Sequence, residues 1–89
     1  MIECEMQVLN KRGLHARAAA KLVNLASRFQ SDINLVINGE EVEGKSILGI
    51  LMLGAPQGTQ LTLRCNGEDE DEATEAIAQL FARRFEEEA

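Results

Sequence analysis

A chain of 89 residues has room for one small domain that buries about 60 to 65% of its unfolded surface, so a large internal substrate cavity is not expected. No apolar run approaches the roughly 20 residues needed to span a bilayer. The start Met1-Ile2-Glu3-Cys4-Glu5 also lacks the basic and apolar regions of a signal peptide, so a cytoplasmic protein without membrane insertion is expected.

The net charge of −6 is uneven: residues 1–67 carry seven Lys/Arg against six Asp/Glu, and residues 68–89 two against nine. With that acidic balance and neither Tyr nor Trp for stacking, nucleic acid is not an expected partner.

Ile2, Cys4, Met6 and Val8 alternate with Glu3, Glu5 and Gln7, the period-two pattern of a strand with one buried face. Cys4 and the distant Cys65 lie in apolar alternations without C-x-x-C spacing, and there is no second histidine to complete a metal site. Both read as reduced core thiols, with no metal and no cofactor expected.

From Ala16 to Phe29 the period becomes helical. Ala18, Leu22, Leu25, Ala26 and Phe29 form one face, widened by Ala19 and Val23, while Arg17, Lys21, Asn24 and Arg28 form the other. No acidic residue lies between Met6 and Ser31, yet Lys11, Arg12, Arg17, Lys21 and Arg28 do, a local positive field that raises encounter rates with acidic partners or anions.

Ile33, Leu35 and Ile37 alternate next. Asn38-Gly39 then supplies the left-handed pair of a type I′ hairpin, and Glu41-Val42-Glu43 returns. Ser46 can cap a short apolar helix, Ile47 to Leu53, closed by Gly54 ahead of Pro56. Gln60 to Asn66 alternates again through Leu61, Leu63 and Cys65, and Asn66-Gly67 turns the chain.

Asp69 with Glu72 fits a capping box for a last helix striped by Ala73, Ala76, Ile77, Leu80 and Phe81, which is expected to fray into Glu86-Glu87-Glu88. The order β-α-β-β-α-β-α, with one apolar face per element, implies helices packed on one side of a mainly antiparallel sheet.

His15, the only histidine, stands where the loop before the first helix turns into it. The first N–H groups of a helix lack intrahelical acceptors, and the macrodipole leaves about half a positive charge there, so an anion is favoured. An imidazole at that point can accept a phosphoryl group, with the backbone N–H groups of Ala16 and Arg17 and the planar Arg17 guanidinium holding its oxygens. The same field favours the neutral, nucleophilic imidazole. The competing reading is an ordinary exposed histidine at a helix start.

The helix after Ser46 is apolar all round. If Ile50 and Leu53 face the core, then Ile47, Leu48 and Leu51 stand in solvent as a docking patch; the alternative is that all of them are core.

Gly13-Leu14-His15-Ala16-Arg17, together with Lys45-Ser46-Ile47-Leu48-Gly49 and Leu53-Gly54, resembles the two signatures of the HPr phosphocarriers of the phosphoenolpyruvate-dependent phosphotransferase system, over nearly the whole chain. The resemblance implies a single HPr-like domain over residues 1–89 with an open-faced β-sandwich, a four-stranded antiparallel sheet covered on one side by three helices. It further implies that His15 takes a phosphoryl group on Nδ1 from phosphorylated enzyme I and passes it to a IIA domain or protein. Ser46 would be a regulatory phosphorylation site for an HPr kinase/phosphorylase.

Ala18 stands where the family most often has proline; in a first helical turn alanine fits equally well. Lys21, Asn24, Arg28, Ile47, Leu48 and Leu51 are the expected docking residues of a monomeric, stoichiometric carrier that is not a turnover enzyme. An HPr-like regulator of a nitrogen-type or incomplete phosphotransferase branch, acting through phosphorylation-dependent protein binding, is the second reading. A docking or anion-binding module without a covalent intermediate is the third.

Overall fold

The computed structural model describes residues 1–87. Strand β1 (Ile2–Gln7) leads to helix α1 (Ala16–Ala26), then to β2 (Asp32–Ile37), β3 (Glu40–Glu43), α2 (Ile47–Leu53), β4 (Gln60–Asn66) and α3 (Glu70–Ala82). A single 3-10 turn follows at Arg84–Glu86. The strands form one antiparallel sheet in the order β1-β4-β2-β3, and the expected open-faced α+β architecture is the one observed.

Register follows from the alternation. Leu63 on β4 pairs with Cys4 on one side and Leu35 on the other, and Cys65 with Ile2 and Ile33, so the apolar sets share the face covered by the helices. On the other face Arg64 meets Glu3 at 3.0 Å and Glu41 at 3.1 Å. That charged face needs no cover, which is why the sandwich stays open. Ile37 pairs with Glu40 across Asn38 (φ 51°) and Gly39 (φ 81°), the expected two-residue hairpin.

Three local expectations are corrected. Helix α1 ends at Ala26 rather than running to Phe29, because the chain tightens through Arg28 N–H to Leu25 O and Phe29 N–H to Ala26 O. The next two amides, of Gln30 and Ser31, donate to the Asp69 carboxylate at 2.9 Å each. Gly67 permits this approach, since a Cβ there would lie 2.7 Å from Ser31 Cα.

Asp69 therefore makes no capping box with Glu72; its carboxylate is spent on residues 30 and 31, and Glu70 accepts from the Gly67 amide at 3.1 Å instead. The Ser31 hydroxyl, more than the two amides, holds the Asp69 carboxyl below its ordinary range.

The third correction concerns the end of α3. The chain does not fray there. Arg84, Phe85 and Glu86 adopt left-handed φ of 56°, 55° and 61°, and Phe85 is fully buried, its ring edge-to-face with Phe81 at 4.8 Å. Glu86 and Glu87 are thereby turned back toward the start of α1; Glu88, the last residue of the expected frayed run, lies outside the described residues.

Candidate functional site

His15 is the N-cap of α1. Its backbone is extended (φ −77°, ψ −178°), its carbonyl accepts from Ala19 N at 2.8 Å, and its ring Nδ1 accepts from the Arg17 backbone N–H at 3.3 Å. The side chain thus occupies the place where a capping oxygen normally sits, with one nitrogen aimed at an orphan helix donor.

The loop before it is held rigidly. Asn10, 2% exposed, donates to Gly13 O at 2.8 Å, Gly13 takes φ +68°, and Leu14 N–H donates to Ala55 O at 2.9 Å. A Cβ on Gly13 would lie 2.3 Å from Ala55 O, so only glycine lets the loop close on the end of α2.

The second ring nitrogen has a partner that the pattern of the sequence did not reveal. His15 Nε2 is hydrogen-bonded to Glu87 Oε2, and Glu87 Oε1 accepts from Asn10 Nδ2 at 2.9 Å. Desolvation raises the Glu87 carboxyl, but the bonds from Asn10 and His15, with the charge of Arg12, outweigh it and leave it below the ordinary range. Lys21 Nζ donates to Phe85 O at 2.7 Å and lies 3.8 Å from Glu86, tying α1 to the left-handed turn. Between them opens a cleft of about 520 Å3 whose walls include Lys11, Arg12, Arg17, Lys21 and Arg84, with Glu86 and Glu87. The field around His15 is therefore basic but not purely so.

Ala16 and Arg17 are exposed at the first turn of α1, Asn24 is exposed in its last turn and Arg28 in the turn just beyond it, whereas Lys21 is drawn inward to Phe85 O. Ser46 is the N-cap of α2, its Oγ accepting from Gly49 N at 3.1 Å, and Gly54 closes the helix at φ 58°. Ile50 is fully buried and Leu53 half-buried, while Ile47, Leu48 and Leu51 are 43%, 66% and 37% exposed. Met52, 78% exposed, extends that apolar patch and was not among the residues expected in it.

Glu87 and Asn10 are the site residues missed from sequence. The one signal for Glu87 was Phe85, an aromatic residue four positions after Phe81 inside an otherwise charged run.

The chain is similar to known proteins over nearly its whole length. Residues 2–83 match a family model described as the PTS HPr component phosphorylation site. A phosphocarrier protein HPr of Xylella fastidiosa is 52% identical over 87 residues, 98% of each chain, and one of Pseudomonas aeruginosa is 48% identical over 84 residues, 93% of each. Among solved structures, HPr-C-His from Thermoanaerobacter tengcongensis superposes with a TM-score of 0.96 at 43% identity, covering all of both chains.

Proposed function

The chain belongs to the HPr phosphocarrier family of the phosphotransferase system, and from that premise we propose that His15 carries the phosphoryl group, on Nδ1. The observation that supports this most directly is the Arg17 N–H donating to Nδ1: the nitrogen faces helix donors that can pass to a phosphoryl oxygen once one is attached. The Nδ1 lone pair attacks phosphorus held on a nitrogen of phosphorylated enzyme I. The new N–P bond forms as the old one breaks, and the electron pair returns to the donor ring. Positioning and charge are most of the work in such a transfer. The Ala16 and Arg17 amides and the Arg17 guanidinium hold the equatorial oxygens, and a IIA domain or protein then takes the group by the reverse step.

Docking falls to Ile47, Leu48 and Leu51 with Met52, together with the exposed Asn24 and Arg28, and Lys21 adds charge beside the site. In this reading residues 1–89 act as one monomeric domain in the cytoplasm, a stoichiometric carrier with a phosphohistidine intermediate. Ser46 is the regulatory site, taken by an HPr kinase/phosphorylase. A phosphate on its Oγ replaces the hydroxyl as acceptor for the Gly49 amide and adds about two negative charges beside the apolar patch.

The test is intact mass after incubation with phosphoenolpyruvate and active enzyme I, with His15→Ala alongside. An adduct stable to base, labile to acid and lost in the variant supports the carrier; no adduct on the parent protein refutes it.

A further inference from the structure

We propose that Glu87 is a positioning residue for this transfer, one that holds the proton of His15 on Nε2 and so leaves the lone pair on Nδ1. The inference rests on the carrier reading above, but its geometry stands by itself.

The two ring nitrogens have opposite kinds of partner. Nδ1 faces an N–H group, which can only donate, and Nε2 faces a carboxylate. Both contacts are satisfied together by one neutral tautomer, with hydrogen on Nε2. The opposite tautomer sets Nδ1–H against the Arg17 N–H and a lone pair against the carboxylate. A histidine whose reactive form is fixed by a carboxylate on its far nitrogen is a recurrent device for activating nucleophiles.

Glu87 is itself fixed. Asn10, which pins the loop before His15, occupies its Oε1, while the buried Phe85 ring and the Lys21 bond to Phe85 O anchor the turn that delivers it. Oε2 then remains for Nε2. Because the carboxylate sits on Nε2, it leaves the place of the incoming phosphoryl group open.

The same contact serves the second half of the step. As the Nδ1–P bond forms, the ring retains its Nε2 proton and becomes cationic; a charge-assisted hydrogen bond to Glu87 stabilises that cation without moving a proton. When a IIA acceptor attacks phosphorus, the N–P electron pair returns to the ring, which becomes neutral again on the same carboxylate. No water and no external base is required in either direction.

Glu87→Gln separates charge and acceptor count from shape. The amide presents one oxygen to the two donors, Asn10 Nδ2–H and His15 Nε2–H, and sets an NH2 group against one of them. Phosphorylation by enzyme I is measured for the parent protein, Glu87→Gln and Glu87→Ala, beside nitrogen–proton correlation spectra of the unphosphorylated His15 ring. The expected result is a fall of about tenfold in kcat, with KM for the protein within about twofold because the docking patch is untouched. A protected Nε2–H resonance should be present in the parent and lost in Glu87→Ala.

Unchanged kcat in both variants together with an unchanged ring spectrum overturns the role of Glu87 while leaving the carrier intact. If the parent takes up no phosphoryl group, the carrier reading fails. The spectra alone then decide whether Glu87 fixes the tautomer: a protected Nε2–H lost in Glu87→Ala supports that role, and its absence in the parent overturns it.

Discussion

Phe85→Ala tests whether the left-handed turn is held by one side chain. Burying Phe85 contributes about 1.5 to 3 kcal/mol, and its edge-to-face contact with Phe81 about 0.5 to 1.5 more. The Lys21 bond to Phe85 O adds about 1 kcal/mol. Against these stand three non-glycine residues at positive φ, each costing about 1 to 2 kcal/mol. The two sides cancel to within a few kcal/mol, so the turn is marginal and Phe85 is its largest single support.

Truncation should therefore release residues 84–87 rather than leave a rigid cavity. Since the released backbone recovers its strain, global stability should fall by about 1 to 2 kcal/mol, below the roughly 3 to 5 typical of a core Phe→Ala change. That loss corresponds to a drop of about 4 to 16 °C in Tm for a domain of this size.

Urea titration measures the global term. Amide exchange measures release, because Glu86 N–H and Glu87 N–H donate to Arg83 O and Arg84 O within the turn and should lose protection. The reasoning is refuted if the variant loses 3 kcal/mol or more while those two amides stay protected. That pairing would mean the turn is part of the cooperative core.

Gly13→Ala sets a Cβ 2.3 Å from Ala55 O at a positive φ; it should cost about 2 to 4 kcal/mol in a denaturation curve and slow phosphorylation by displacing His15. Leu48→Asp, at an exposed position, should leave stability within about 0.5 kcal/mol while raising KM for enzyme I at least tenfold, and Ser46→Asp should slow the same transfer with Tm nearly unchanged. Equal transfer rates in both would remove the α2 patch as the docking surface. The carboxyls of Asp69, Glu70 and Glu87 are all lowered in the folded protein, so their contribution is complete above the unfolded value of about 4 and is lost as pH falls through the folded values. Stability measured from pH 6 to pH 2.5 should decline below about pH 4, and Asp69→Asn should flatten that limb; parallel curves would contradict the assignment.

What the sequence disclosed was what depends on local period and on a few special residues. Alternation placed Leu61, Leu63 and Cys65 on one face, Asn38-Gly39 set the hairpin, and Ser46 and Gly54 bounded α2, because each acts within a few positions of itself. Asp69 was misread for the opposite reason. Its carboxylate is used 38 and 39 residues away, at Ser31 and Gln30, and the same side chain serves equally well as a local cap, so spacing could not decide. Arg83-Arg84-Phe85-Glu86-Glu87 reads as helical or frayed because nothing in its propensities favours left-handed backbone. Tertiary contacts, chiefly the burial of Phe85 against Phe81 with the Lys21 bond to Phe85 O beside it, draw the segment into that conformation, and Glu87 could not be found until the turn was.

This division bears on how docking and chemistry are kept apart. Eight steps of about 1.5 Å separate Ser46 from Gly54 along α2, so the two stand about 12 Å apart, and the Gly54 end is the one joined to the His15 loop through Leu14 and Ala55. Charge added at Ser46 therefore acts first on what approaches Ile47, Leu48 and Leu51, and reaches the histidine only weakly through screened solvent. The turn carrying Glu87 approaches His15 from α3, and among the described residues its hydrogen bonds to side chains run to Asn10, His15 and Lys21 rather than to Ser46 or the patch. A change at Ser46 should thus appear in KM and a change at Glu87 in kcat. The double variant Ser46→Asp with Glu87→Gln should show the two effects adding within about 0.5 kcal/mol, whereas a larger interaction energy would mean that docking and the ring of His15 are coupled.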